Sequence, residues 1–561
     1  MKNKLFAYTF ISTIFILVFF IGAMTVNADV GEIFSINSIE RIPIKFKVLT
    51  EESETGTVQV GSGEIYESAI PKSAVTALTI PQTVTYSGKI YSVTHIGDYA
   101  LYSCEFLYSV TIPDSVVSIG DEAFTSCHSL ESMVIGSGVA NIGKKILTRC
   151  YSLKNISISD SNGCYTSDGG ILYSKDKLVL LAYPAVSEDF IIPANVRSIG
   201  EYAFEECEVL KNIVIGDNVT TIGADAFRSC WNLESMIIPD SVTNIGESAF
   251  IFCFRLKHVS IGSGLRNISD YAFYSSGLKD LIIPDSVTSI GENAFSCCEA
   301  LESVKIGDGV ISIGACVFRY CTALKNVDLG RGMQNTGEWV FHNCTALESV
   351  VIPENVKNID VGAFEDCNNL KNVIISDGVI RIGLQPFLRC YQLESIVIPK
   401  SVTSIGRWAF FECNGLTSVK IGSGVTSIEE NAFYECSKLA NVYFDGDAPD
   451  VELSAFNTLP AGAKAYVRPD AKGFPKEGQL WNKLVVVYNS APILFGDIFT
   501  DGIVDSKDIV KLAQYLAGWP SAVLSDEELK AADTFADGVI DSKDIVKLAQ
   551  FLAGWQINLG L

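Results

Sequence analysis

The stretch LESVKIGDGVISIGACVFRYC, Leu301–Cys321, returns as LTSVKIGSGVTSIEENAFYEC at Leu416–Cys436. The shared pattern is L-x-x-V-x-I-P/G-x-x-V-x-x-I-G-x-x-A-F-x-x-C, and it recurs with a period of 23 residues. Leu, Val and Ile at coil positions 1, 4 and 6 fit a short strand with inward-facing side chains, and the Pro or Gly that follows turns the chain. Because one coil cannot bury this face alone, neighbouring coils must stack. The pattern predicts a solenoid of about fourteen coils.

The cysteines mark the register of the coils. Sixteen cysteines in an exported protein would ordinarily suggest disulfides. Most of them share one coil position, so we expect an internal column of packed, reduced thiols; disulfides between neighbouring coils are the alternative. A zinc site is disfavoured because no C-x-x-C pair occurs. Cys164, Cys297 and Cys316 lie off the column and have no assigned role. The column comprises Cys104, Cys127, Cys150, Cys207, Cys230, Cys253, Cys298, Cys321, Cys344, Cys367, Cys390, Cys413 and Cys436.

Segments such as IPDSVTSIGENAF, Ile283–Phe295, resemble the leucine-rich repeats of BspA-like surface antigens. The resemblance covers roughly Ile96 to Phe444. It implies a repeat solenoid of 23-residue leucine-rich coils, mainly β with an irregular or short-helical convex side, on an exported or cell-surface protein. It does not imply one particular ligand.

Two further patterns run along the repeats. Coil position 2 alternates between Glu and Lys, and position 3 alternates between Ser and Asn, which suggests a duplicated pair of coils, 46 residues long. Position 5 carries aliphatic residues that should face outward; they indicate either a partner surface or ordinary strand propensity. The longer interval between Cys150 and Cys207 predicts an inserted β-hairpin, either structural or part of a binding face.

The end of the chain is a second kind of repeat. DSKDIVKLAQYLAGW, Asp505–Trp519, returns 36 residues later as DSKDIVKLAQFLAGW. Each copy completes a twelve-residue segment with Asp at positions 1, 5, 9 and 12 and Gly at position 6, the spacing of an EF-hand calcium loop. The apolar residues that follow predict one helix after each loop. The predicted ligands for two Ca²⁺ ions are Asp497, Asp501, the carbonyl of Ile503, Asp505 and Asp508, then Asp533, Asp537, the carbonyl of Val539, Asp541 and Asp544.

Two loop–helix copies without preceding helices resemble a type I dockerin, from about Gly496 to the C-terminus. The resemblance implies a small all-α, calcium-dependent module that docks onto a cohesin of a scaffolding protein, as in cellulosomes. Phe499 and Phe535 occupy loop position 3, where the family usually has a ligand, so each site lacks one ligand. A helical pair that no longer binds metal is the alternative. The partner-facing residues that the resemblance implies are Ser506, Lys507, Ser542 and Lys543, followed by Lys511, Gln514, Lys547 and Gln550.

Composition and termini narrow the class of function. The net charge of −23 and the absence of basic clusters argue against nucleic-acid binding. Only four histidines occur, which weakens the case for His-based catalysis or His-rich metal sites. Lys2 and Lys4 precede an apolar run that predicts a secretory signal peptide, with an uncleaved anchor as the alternative. No later stretch is apolar and long enough to span a bilayer.

The expected organisation is a signal peptide at 1–28, an N-terminal β cap at 29–95, the solenoid at 96–444 with a hairpin near 158–190, a C-terminal cap at 445–489, a linker at 490–495 and the dockerin at 496–561. We expect a secreted, non-catalytic protein that docks onto a cohesin-bearing scaffold in polysaccharide degradation and presents a repeat surface to a protein or glycan. A cell-surface adhesin is the alternative. A polysaccharide-degrading subunit is disfavoured because no G-x-S-x-G or H-E-x-x-H motif occurs and no carboxylate pair stands out.

Overall fold

The computed structural model describes residues 29–52, 55–73, 76–184 and 186–488, together with Ala532 and Lys547. Apart from these last two positions, which are helical, the regular elements of the described chain are β-strands. The chain divides into two compact units. The first contains the residues up to Ser187 and Tyr202–Cys207; the second contains Glu188–Glu201 and the residues from Glu208 onward.

The first unit combines antiparallel strands with the first parallel coils. One sheet has the order β1-β2-β3-β6-β8-β10, with β5 beside β6, and a second has the order β11-β9-β7-β4. Pairing is antiparallel from β1 to β3 and parallel from β3 to β10, so the sheet changes from a cap to a coil at β3. The strands are β1 (Ile33–Asn37), β2 (Pro43–Glu51), β3 (Thr55–Val60), β4 (Thr76–Thr79), β5 (Thr83–Tyr86), β6 (Lys89–Ile96), β7 (Leu107–Ile112), β8 (Ser118–Ile119), β9 (Ser132–Ile135), β10 (Asn141–Ile142), β11 (Asn155–Ile158), β12 (Tyr165–Asp168), β13 (Ile171–Ser174) and β14 (Val179–Ala182).

The interval that lengthens the repeat after Cys150 holds three antiparallel strands, β12, β13 and β14. Leu172 and Leu180 bury their side chains completely, and the Ile156 amide of the preceding coil donates a 3.0 Å hydrogen bond to the Gly170 carbonyl. The inserted strands are therefore packed against the coil that precedes them.

The second unit is a succession of parallel coils. Its long strands form the sheets β15-β17-β19-β21-β23-β25-β27, β28-β30 and β32-β34-β36-β38-β40-β39, and its short strands include the rows β22-β24-β26 and β29-β31-β33-β35-β37. The strands are β15 (Asp189–Ile191), β16 (Ser198–Ile199), β17 (Asn212–Val214), β18 (Thr221–Ile222), β19 (Ser235–Ile238), β20 (Asn244–Ile245), β21 (His258–Ile261), β22 (Asn267–Ile268), β23 (Asp280–Ile283), β24 (Ser289–Ile290), β25 (Ser303–Ile306), β26 (Ser312–Ile313), β27 (Asn326–Asp328), β28 (Ser349–Ile352), β29 (Asn358–Ile359), β30 (Asn372–Ile375), β31 (Arg381–Ile382), β32 (Ser395–Ile398), β33 (Ser404–Ile405), β34 (Ser418–Ile421), β35 (Ser427–Ile428), β36 (Asn441–Phe444), β37 (Asp450–Val451), β38 (Lys464–Val467), β39 (Leu480–Trp481) and β40 (Leu484–Tyr488).

Each coil has a long strand, a short strand and a third side made of turns. In the coil of Leu301–Cys321 the turn side follows β26, and the amides of Cys316, Phe318 and Tyr320 donate 2.8–2.9 Å hydrogen bonds to carbonyls of the next coil. Cys316 and Tyr320 have φ values of 59° and 61°, in the left-handed region. The convex side of the described coils is thus irregular and contains no short helix. Cys297, in the preceding coil, occupies the position equivalent to that of Tyr320 and also has a left-handed φ, of 59°.

Phenylalanine rings form a continuous stack through the interior of the second unit. Successive rings from Phe227 to Phe456 have centroids 4.9–5.5 Å apart and lie nearly parallel. This spacing lies within the range of favourable offset stacking. Every coil therefore contributes one buried ring to a core that no single coil encloses.

The cysteine column lies beside the phenylalanine stack. The Cys344 thiol donates a 3.2 Å hydrogen bond to the Phe318 carbonyl, 26 residues earlier, and Cys436 and Phe410 repeat this contact at 3.1 Å. The thiol therefore satisfies a carbonyl that turns into the core, where an unpaired carbonyl would be unfavourable. All sixteen cysteines, each within the described residues, are free, and thirteen are buried. The expected packing of the column thiols in the interior is confirmed.

We expect a native thiol assay to label no more than the three off-column cysteines, Cys164, Cys297 and Cys316. The column thiols are inaccessible, and burial also raises the pKa of Cys104 to about 11 and that of Cys253 to about 12, so the reactive thiolate is scarce at neutral pH. Mass spectrometry after maleimide treatment measures the number. Labelling in denaturant should reach all sixteen, and extensive native labelling of the column would contradict the buried arrangement.

The alternation of turn types has a steric cause. Where one coil turns through Pro-Asp, the next coil carries Gly-x-Gly, as at Pro239-Asp240 and Gly262-Ser263-Gly264. A Cβ on Gly264 would lie 1.9 Å from the Asp240 carbonyl oxygen, and one on Gly309 would lie 1.8 Å from the Asp285 carbonyl oxygen. Only glycine fits against the Pro-Asp turn below it. This close approach accounts for the second glycine of the Gly-x-Gly turns at these positions.

Candidate functional site

The long-strand face of the second unit carries a stripe of exposed aliphatic side chains, at coil position 5. Ile191 lies opposite Val214 in the β15–β17 pair, and Ile237 and Ile282 follow on later strands. Ile237 is 69% exposed and Ile282 is 67% exposed. Soluble proteins rarely expose a row of aliphatic side chains at the same position of successive strands, so this stripe is a candidate partner surface.

Polar residues interrupt the stripe and charged residues border it. Ser260 separates Ile237 from Ile282, and the exposed Lys305 lies opposite Asp328 in the β25–β27 pair. Along coil position 2, opposite charges meet between coils as the alternation predicted. The Lys211 Nζ–Glu188 Oε2 distance is 2.8 Å, and the corresponding Lys325–Glu302 and Lys371–Glu348 distances are 3.3 and 3.8 Å. Because these pairs are exposed, each adds little to stability.

The turn side carries a cluster that sequence reasoning missed. His342, Glu365 and Asp366 each offer one ligand atom, and these atoms all lie within 4.8 Å of one another. His342 and Glu365 occupy the same position of adjacent coils, directly after the stacked Phe341 and Phe364, so stacking brings them together. Their separation of 23 residues, one repeat period, is the sequence signal from which this proximity could have been predicted. These residues could hold a divalent metal ion.

Neighbouring groups set the electrostatics of this cluster. Burial lowers the pKa of His342, and Arg319 lowers it further, while Glu365 opposes the shift. The lowered pKa favours the neutral imidazole, whose unprotonated nitrogen retains a lone pair. Arg389 Nη1 lies 3.4 Å from Asp366 Oδ1, and Gln385 Nε2 donates a 2.9 Å hydrogen bond to Glu365 Oε2.

The predicted calcium and partner residues lie beyond the described chain, with one exception. Lys547 is described; it is helical and half-buried. The predicted signal peptide at 1–28 also lies outside the described residues. The other predicted positions outside them are Asp497, Asp501, Ile503, Asp505, Ser506, Lys507, Asp508, Lys511, Gln514, Asp533, Asp537, Val539, Asp541, Ser542, Lys543, Asp544 and Gln550.

Comparison with known families supports both halves of the sequence interpretation. The BspA type leucine rich repeat region matches residues 63–174, 183–302, 288–403 and 380–461, in six copies. The chain belongs to the BspA type leucine-rich repeat family. A type I dockerin domain matches residues 495–553. The predicted BspA-like repeats, the solenoid fold and the C-terminal type I dockerin are therefore confirmed.

Solved structures similar to this BspA-type chain include bacterial leucine-rich repeat proteins. One, from Bacteroides ovatus, shares 25% identity over 75% of this chain and 99% of its own, with a TM-score of 0.48. A leucine rich cell surface protein from Faecalibacterium prausnitzii shares 24% identity over 74% of this chain and 95% of its own, with a TM-score of 0.39.

No curated protein matches the chain. Over the part of the BspA-type chain that the structure describes, no helix combines the length and the apolar character needed to cross a bilayer.

Proposed function

We propose that this protein is a non-catalytic, exported component that attaches through its dockerin to a cohesin of a scaffolding protein, and that its solenoid presents a binding surface beside polysaccharide-degrading partners. The type I dockerin match at 495–553 carries the proposal. The two nearly identical fifteen-residue copies, the second of which extends two residues past the end of that match, support a module with two equivalent partner-facing sides.

Calcium binding is the chemical basis of the proposed attachment. Type I dockerins bind calcium, and each loop here offers four Asp carboxylates and one backbone carbonyl. Four carboxylates within twelve residues repel one another unless a divalent cation lies between them. Phe499 and Phe535 cannot coordinate a hard cation, so water takes the vacant position in each of the two proposed sites.

We expect the full-length protein to be retained by at least one cohesin from a panel in calcium-containing buffer, and to be released by EDTA. Removal of the ion leaves the loop carboxylates unscreened, and the partner-facing helices lose their orientation. A pull-down with calcium, with EDTA, and with EDTA followed by excess calcium measures this. Retention in EDTA, or no retention by any cohesin in calcium, would overturn the proposal; the second result would favour the adhesin.

The exposed aliphatic stripe on β15, β17, β19 and β23 keeps a cell-surface adhesin as a second candidate. A stripe of this kind suits a protein or glycan partner whether or not the dockerin attaches to a scaffold. The two candidates share the solenoid surface and differ in what holds the protein in place. An assay on plant polysaccharides tests the third candidate, a degrading subunit.

A further inference from the structure

We propose that His342, Glu365 and Asp366 form a zinc site that joins two adjacent coils on the turn side of the solenoid. The three side chains come from neighbouring coils, and their ligand atoms lie within 4.8 Å of one another. Zinc binds imidazole nitrogen and carboxylate oxygen at about 2.0–2.2 Å. Ligation requires side-chain rotations that bring these three atoms around one ion, and all three side chains are partly exposed.

Two buried polar atoms at this place lack a partner among the described residues. His342 Nδ1 and Arg319 Nε are both buried, and neither makes a hydrogen bond there. The contact between His342 Nδ1 and Glu365 Oε2, at 3.8 Å, is too long for one. A buried imidazole nitrogen without a partner is unusual, and a bound cation accounts for it, whereas the Nε–H of Arg319 is a donor that a cation does not satisfy. Coordination of Zn²⁺ through Nδ1 would satisfy the imidazole and draw Glu365 closer.

Neighbouring side chains hold the carboxylates of Glu365 and Asp366 in place. Gln385 donates to Glu365 Oε2, and an ionised carboxylate has further lone pairs for an ion. Arg389 contacts Asp366 through Nη1, and its Nε lies 3.3 Å from Glu412 Oε2, so the guanidinium is shared between two acids. The carboxylates counted at this place are those of Glu365, Asp366 and Glu412, and the guanidinium groups are those of Arg319 and Arg389. Together they carry one net negative charge before any cation binds.

The ligand set selects zinc over calcium. An imidazole with two carboxylates suits a borderline ion such as Zn²⁺, whereas Ca²⁺ takes six to eight oxygen ligands. The C-terminal loops offer oxygen only. Excess Ca²⁺ should therefore occupy the loops without displacing Zn²⁺ from the coil site. Three protein ligands would leave a fourth position for water or for a partner's donor atom.

The test is a calorimetric titration of the full-length protein with Zn²⁺ in saturating Ca²⁺. All proteins carry Cys164→Ser, Cys297→Ser and Cys316→Ser, which remove the accessible thiols as competing ligands. We expect one Zn²⁺ to bind the background protein. His342→Ala should weaken this binding at least tenfold, and so should the isosteric pair Glu365→Gln with Asp366→Asn. His258→Ala, at an exposed histidine of another coil, should change it less than twofold.

The isosteric pair keeps the test decisive if His342→Ala does not fold, as circular dichroism would reveal. Zn²⁺ should also raise the melting temperature of the background protein and not that of the ligand variants, because an ion that binds only the folded state stabilises it. The proposal is overturned if the background protein binds no Zn²⁺. It is equally overturned if the background protein and the isosteric variant bind Zn²⁺ with the same stoichiometry and affinity.

Discussion

Replacing Ser506, Lys507, Ser542 and Lys543 together by alanine is expected to abolish cohesin binding, whereas either pair replaced alone should leave the affinity nearly intact. The reason lies in the duplication: each copy contains the same Ser-Lys pair directly before the last Asp of its loop. If the two copies are related by a pseudo-twofold axis, either one can face the same partner, in orientations about 180° apart. Isothermal titration with a cohesin that binds the parent protein measures the affinities.

The matched control removes two lysines elsewhere. Lys257→Ala with Lys279→Ala takes away the same positive charge from exposed positions of the solenoid and should leave the affinity unchanged. A large loss of affinity in either single-pair variant would show that only one copy faces the cohesin. Full binding by the fourfold variant would place the contact on other residues, with Lys511, Gln514, Lys547 and Gln550 the next candidates.

The solenoid could be predicted from sequence because each coil repeats the same pattern of aliphatic residues. Leu301, Val304 and Ile306 were expected to point inward, and all three are buried. The position-5 residues were expected to face outward, and Ile237 and Ile282 do. The period of the aliphatic residues and the alternation along a strand determine these outcomes, and neither depends on contacts that are distant in sequence.

The turn side could not be predicted in the same way. Its backbone places ordinary residues such as Cys316 and Tyr320 in the left-handed region, which intrinsic preference disfavours for side chains other than glycine. The hydrogen bonds to the next coil over-determine this conformation, and a single coil read alone does not contain them. The positions of the off-column cysteines Cys297 and Cys316 on the turn side therefore could not be predicted from the sequence of a single coil.

The His342 cluster shows the same limit at a candidate site. The low number of histidines argued against His-rich metal sites, and that argument remains sound for clusters of several histidines. The cluster uses one imidazole with Glu365, which lies 23 residues away in sequence and in the neighbouring coil in space. An alignment of the coils by their cysteines places His342 and Glu365 at the same coil position, and their proximity could have been predicted from it.

Gly378→Ala is expected to destabilise the solenoid strongly, by about 3 kcal/mol, at the upper end of the range for overpacking. A Cβ at this position would lie 1.5 Å from the carbonyl oxygen of Glu354 in the preceding coil. The obstacle is backbone, so no side-chain rotation relieves the clash and the two coils must separate locally. Denaturant unfolding followed by circular dichroism measures the loss, and hydrogen exchange should show it first in the coils around Glu354 and Gly378, because solenoid stability depends on contacts between neighbours.

Gly216→Ala is the matched control, since Gly216 also lies in a turn that follows a long strand, yet a Cβ there would meet nothing within 4 Å. Neither glycine has a positive φ, so the difference between the two variants isolates the steric contact from backbone strain. Gly216→Ala should be neutral, or stabilising by about 0.4–1 kcal/mol through the reduced entropy of the unfolded chain. Equal stability of the two variants would show that adjacent coils can separate at the Gly378 turn without loss, and the steric requirement for glycine at that turn would then be wrong.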